Sequence, residues 1–282
     1  MSKPLGAFVG LTFAISWAIW LAMAAGSVSI ETTFGLVLNV IATAGPSIAA
    51  LILGVAMGRG EVQRLLAGFS LALVSPRWAL VALAVPLGMV AIAIAVSVGA
   101  FGAPIPVITA GVLGVLVIEF VRIVFLGGPL EEELGWRGFA LPRLQARRSA
   151  FSASVLLGLI WGVWHIPLYF VSGTGQQDTA AATGAVFGIT AFVIWTIGLS
   201  ILFAWLFNQT QGSLIVVILF HAAVNLGAFI PAAVGSTGAA SFLYAIVTWI
   251  VALVVAARFG HEHLASQPRV AAPEPASATA SA

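Results

Sequence analysis

The sequence predicts an all-α, polytopic membrane bundle of about eight transmembrane helices, and three observations carry that prediction. Hydrophobic residues make up 61% of the 282-residue chain and charged residues only 7%, with a mean hydropathy of +1.13, whereas soluble domains carry about 25% charged residues. Apolar stretches of about 20 residues, the length a spanning helix needs, fall near 6–26, 34–57, 78–99, 107–127, 152–171, 184–207, 212–231 and 238–258. Stretches such as 80–100 and 242–257 are apolar on every face rather than alternating with a period of two. That pattern selects helices, which satisfy their own backbone in lipid, over the strands of a membrane barrel.

Taken in order, the first span follows Lys3 and is longer than the apolar core of a signal peptide, about 7–15 residues, so it is read as a retained helix. After the second span the composition turns polar over 59–76, where Leu65, Leu66, Phe69, Leu71 and Leu73 sit among charged and small residues. An interfacial helix or structured loop is expected there. An unbroken helix over 107–147 would run about 60 Å, twice the hydrocarbon core, so that stretch must break, and Gly127-Gly128-Pro129 is the natural place. A break there puts Glu131, Glu132 and Glu133 in the first turn of a new helix, where the helix dipole favours carboxylates. Residues 261–282 are rich in Pro, Ala and Ser and are expected to form a disordered tail, with His261 and His263 solvated in it. The remainder, 1–260, is expected to be one membrane domain.

With the N-terminus inside, Lys3, Arg59, Arg64, Arg77, Arg143, Arg147, Arg148 and Arg258 all fall on one side, while the opposite loops carry only Glu31 and Asp178. By the positive-inside rule both termini are cytoplasmic, and the expected home is the plasma (inner) membrane. The absence of cysteine excludes disulfides, thiolate nucleophiles and Cys-based metal sites together. The expected partners are the lipid bilayer and a membrane-associated protein or peptide, not nucleic acid.

A carboxylate at membrane depth costs about 2.5–3.5 kcal/mol even on the mildest scale, so the acidic run 131–133 must be paired, solvated or used. The ionisable residues inside spans group into three clusters: Glu132 and Glu133 with Arg137, Trp161 with His165, and His221 with Asn225. Members of each spacing-four pair share one helix face. Glu133 is therefore expected to hold Arg137, leaving Glu132, rotated away, for a water or a substrate. A turn near 148–152 makes the flanking segments a hairpin, and Glu132 lies about as far before it as His165 lies after it. His221 is roughly 14 Å into its helix at 1.5 Å per residue, so one cavity could collect all three clusters. Each feature alone has a bland reading: Glu119 with Arg122, or Glu133 with Arg137, as a structural ion pair, and a single His as a helix-to-helix hydrogen bond. Two His, an amide and a surplus carboxylate together favour a site.

These clusters resemble the signature of the CAAX-protease and bacteriocin-processing family, intramembrane endopeptidases related to the eukaryotic prenyl-protein protease. That pattern is two adjacent Glu with Arg four after the second, an aromatic four before a His, and a His four before an Asn; here it reads Glu132, Glu133 and Arg137, then Trp161 and His165, then His221 and Asn225. The motifs cover 128–225. Two departures stand out: Glu131 is an extra third acid, and Trp161 occupies a position where Phe is common. The resemblance implies hydrolysis of a peptide bond in a membrane-associated or prenylated substrate, with Glu132 as the base that activates water.

The residue chemistry is compatible with that role, because hydrolysis needs a base, an orienter for water and donors for an oxyanion. Glu132 is expected to serve as base, His165 as its partner on the water, and His221 with Asn225 as oxyanion donors, with Glu133, Arg137 and Trp161 supporting them. No cofactor is required by this scheme. The same Glu132, His165 and His221 match a catalytic zinc site in donor type, although not in the HExxH spacing. Two other classes compete: a transporter, since buried Glu, Arg and His also build proton relays, and a non-catalytic bacteriocin-immunity or scaffold protein.

Overall fold

The structure, a computed structural model, describes residues 3–237 and 239–267. Among them there is no strand. The chain runs through α1 (Lys3–Ala25), α2 (Thr33–Thr43), α3 (Gly45–Met57), α4 (Arg59–Ala67), α5 (Pro76–Phe101), α6 (Ala110–Leu126), α7 (Pro129–Glu133), a π-helical turn (Leu134–Ala140) and α8 (Leu141–Gln145). It continues through α9 (Ala150–Trp164), a 3-10 turn (Ile166–Phe170), α10 (Gly175–Thr183), α11 (Ala185–Gln209), α12 (Leu214–Ala233) and α13 (Ala240–Phe259). Among the described residues seven helical stretches are long and apolar enough to cross a membrane, or eight if α2 and α3, bent by 45°, form one span. The chain is an integral membrane protein with an all-α polytopic fold.

Helix starts follow local chemistry. The side chains of Thr32, Thr109, Ser149 and Ser213 accept from backbone N–H groups in the first turns of α2, α6, α9 and α12, which satisfies donors a helix start leaves orphaned. Pro46, Pro76 and Pro129 sit at first-turn positions where no N–H is needed.

The expected break in the long fourth stretch falls at Gly127-Gly128: α6 ends at Leu126, Gly128 adopts φ +105°, and Pro129 opens α7. The π-helical turn after α7 was not expected from periodicity. The fifth span also differs, since α9 stops at Trp164 and the chain tightens into a 3-10 turn. Pro167 lacks an N–H and disfavours the α conformation in the residue before it, so the helix cannot continue as an α-helix. The interfacial stretch 59–76 consists of α4 and a 3-10 turn, Leu71–Leu73. Of the expected tail, 268–282 lies outside the described residues. Residues 261–267 run back over the start of α9 and the end of α11, where Ala150 N and Phe151 N donate to Glu262 O and His261 O, and Asn208 Nδ2 donates to His263 O at 2.8 Å.

One large apolar core joins α1, α3, α5, α9, α11, α12 and α13 around the π turn. Helix α11 is its centre, with every residue from 198 to 207 buried. Helix α6 is its opposite: only Ile123 is buried, in a small cluster with Ala222 and Leu226 of α12. Helices α9 and α11 approach closely, because a Cβ on Gly162 would stand 2.4 Å from Thr196 Oγ1. Small residues permit such backbone contact between membrane helices, and here the contact fixes the turn of α9 that carries Trp161.

Candidate active site

The acidic turn, its π-helical continuation and the ends of α9 and α12 meet in the core. Glu132, Glu133, Arg137, His165 and His221 are all buried, with Glu133 and Arg137 at 0% exposure. Arg137 Nη1 donates to Glu133 Oε1 at 2.8 Å, and the guanidinium carbon sits 3.8 Å from the ring centroid of Phe203 and 4.6 Å from that of Trp161. A fully buried arginine is thus neutralised on one side and faced by aromatic rings on the other.

His221 joins this pair rather than Glu132: its Nδ1 lies 2.7 Å from Glu133 Oε1. An ionised carboxylate only accepts, so Nδ1 carries the hydrogen and a neutral ring keeps its lone pair on Nε2. His165 reaches the same state by another route, because its Nδ1 lies 2.8 Å from the Trp161 carbonyl oxygen, which also can only accept. This bond forms because His165 is the C-terminal cap of α9, where carbonyls lack intrahelical partners.

Glu132 stands apart from the ion pair. Trp161 Nε1 donates to Glu132 Oε2 at 2.7 Å. The other oxygen, Oε1, occupies the space a side chain at Gly128 would need, 2.4 Å from the position of its Cβ. Asn225 Nδ2 donates to Gly127 O at 3.1 Å, capping α6 beside the acidic turn. Glu131 is buried too, and neither the Trp161 bond nor the Arg137 pair involves it. Glu119 and Arg122 pair on exposed α6, 2.7 Å apart.

Trp161 is what brings the clusters together. Its indole holds Glu132, its carbonyl holds His165, and its ring meets His165, His221 and Phe203 edge to face, each at 5.5 Å. Phe203 and Phe192, the latter 5.0 Å from His165, were not singled out from sequence. In helices that are aromatic and aliphatic throughout, nothing marks one Phe as a wall of the site. Among the described residues no three His, Cys, Asp or Glu groups lie together so as to hold a metal. Glu132, His165 and His221 as placed are not gathered into such a group.

Fold and site together define a polytopic helical membrane protein with a buried Glu, His and Arg centre. Residues 114–227, which carry all three clusters, match the model of the family described as type II CAAX prenyl endopeptidase, Rce1-like. The protein is similar to CAAX prenyl protease 2 of Methanococcus maripaludis, 36% identical over 110 residues, 38% of this chain and 40% of the relative. The match thus spans about two fifths of that relative's length.

Proposed function

We propose that this chain is an intramembrane endopeptidase that hydrolyses a peptide bond of a membrane-associated substrate with a water activated by Glu132. The single observation that carries this reading is the fixed, asymmetric Glu132 carboxylate. Its Oε2 is tied to Trp161, which leaves Oε1, over the bare Cα of Gly128, to take a proton. The water oxygen adds to the peptide carbonyl as its proton passes to Glu132, and the protonated carboxyl then returns that proton to the departing amine.

The other residues have matching duties. His165, fixed by the Trp161 carbonyl, offers Nε2 as an acceptor that orients the water. Asn225 uses one amide N–H on Gly127 O and keeps a second for the oxyanion. His221 donates to that oxyanion only as an imidazolium, which the Glu133 carboxylate at 2.7 Å would pair. Glu133 and Arg137 hold this arrangement without touching substrate.

The relative's name refers to prenylated CAAX substrates, so a prenylated C-terminal peptide anchored in a bilayer is the first substrate class to test. We place the protein in the inner membrane with both termini cytoplasmic, in keeping with the basic residues gathered at one end. Glu132→Gln in proteoliposomes should abolish cleavage of such a peptide while the variant stays folded; retained turnover would refute the assignment. Metal analysis of active protein belongs to the same experiment. Stoichiometric zinc, with activity lost on chelation and restored by zinc, would replace the metal-free scheme.

A further inference from the structure

The segment 58–75 between α3 and α5 takes no part in the chemistry above, yet it grips both elements that carry it. Glu61 of α4 is buried, 8% exposed, and accepts from Arg64 Nε at 3.0 Å and from Arg143 Nη2 at 2.7 Å. Both arginines reach further. Arg143 Nη1 donates to Phe139 O at 2.9 Å, with its guanidinium carbon 3.6 Å from the Phe139 ring centroid, and Arg64 Nη1 donates to Gly138 O at 3.4 Å. At the other end of the segment, Leu214 N donates to Gly68 O at 2.7 Å, at the start of the helix that bears His221 and Asn225.

Gly138 and Phe139 belong to the π-helical turn. A π turn holds one residue more than an α turn, and its carbonyls lose the regular i to i+4 donors. Two guanidinium groups on adjacent carbonyls supply donors at this point, and the carboxylate between them offsets their mutual repulsion. We propose that Glu61 is a positioning residue: by holding Arg64 and Arg143 on the Gly138 and Phe139 carbonyls, it keeps 134–140 in its π form and so sets the direction in which Glu132 faces Trp161. Relaxation to a regular α-helix would remove one residue of excess turn, about 100° at 3.6 residues per turn. That rotation of α7 against α8 carries Glu132 away from the indole. The activity arm of this inference rests on the peptidase reading, whereas its geometric arm does not.

The chain contains no cysteine, so a pair of spin labels can be placed without background at Leu130 of α7 and Arg147 just past α8, both exposed. Glu61→Ala should shift and broaden the distance distribution between them. In the unlabelled variant kcat should fall about ten- to hundred-fold, the scale of a small misplacement of reacting groups, with KM unchanged. If the alanine variant does not fold, Glu61→Gln, which keeps the shape and one acceptor while removing the charge, is read in the same way. A label distance identical to that of the parent pair overturns the proposal whatever the activity does. A parent protein that cleaves nothing defeats the peptidase reading, and the label distances still decide the role of Glu61.

Discussion

His221 Nδ1 lies 2.7 Å from Glu133 Oε1, the same oxygen that accepts from Arg137 at 2.8 Å. One carboxylate oxygen therefore joins the acidic turn to α12 across 88 positions of sequence. Glu133 and Arg137 are both fully buried, which divides the two adjacent glutamates by consequence as well as by partner.

Removing Glu133 leaves a buried guanidinium without its counter-charge. Breaking a buried pair in this way costs about 3–5 kcal/mol, so Glu133→Ala should unfold at markedly lower temperature in detergent, followed by circular dichroism. Glu132→Gln, which keeps the shape at its position and strands no cation, should unfold within a few degrees of the parent. Equal destabilisation by the two variants would contradict the division.

Trp161→Phe keeps an aromatic ring at a buried position but removes the indole N–H together with part of the ring volume. The lost hydrogen bond to Glu132 Oε2, 2.7 Å long, is of the charged-acceptor kind worth about 1.5–3 kcal/mol. Peptidase kcat per folded molecule should fall by about one to two orders of magnitude, alongside a lowered thermal transition from the lost bond and the trimmed buried ring. An unaltered kcat would show that the indole does not orient the base.

Much of this was legible in the sequence for definite reasons. Eight apolar stretches and the break at Gly127-Gly128-Pro129 follow from length and glycine, which are local properties, whereas the hairpin spacing sets Glu132 opposite His165 and the indole of Trp161 stands as its partner instead. The π turn was not legible, because 134–140 differs from an α-helix by one residue of turn and its stabilising groups, Arg64 and Arg143, come from either side of a distant contact. The partner of His221 was not legible either: spacing places a histidine on a face but does not choose between two neighbouring carboxylates. Asn225 likewise reaches a backbone carbonyl, Gly127 O, that no side-chain pattern advertises.

Gly128 combines two demands that a pair of variants can separate. Its φ of +105° disfavours any side chain, and a Cβ would also stand 2.4 Å from Glu132 Oε1. Gly184, at φ +84°, shares the first demand but has open space around its Cβ position. Alanine at either site should cost about 1–3 kcal/mol of stability, as strained backbone does. Only Gly128→Ala should also abolish turnover in the fraction that remains folded, measured as activity per folded molecule. Comparable specific activity in the two variants would mean that the space beside Oε1 is not used.

Glu61 gives a pH dependence with a definite sign. Burial alone would raise its carboxyl pKa, but hydrogen bonds from Arg64 and Arg143, and their charges, outweigh that and hold it below the ordinary value of 4.5. A group whose folded pKa is depressed contributes stability that is fully present above its unfolded pKa and is lost as pH falls through the folded value. The stability difference between the parent and Glu61→Gln should therefore be flat from neutral pH down to about 5, then shrink as the pH drops below 4.5. Unfolding midpoints of the two proteins, measured in the same detergent between pH 7 and about pH 3, give this difference directly. A gap that stays constant through the acid range would mean that the Glu61 carboxylate is not held by its arginines, and a gap that widens there would reverse the sign of the linkage.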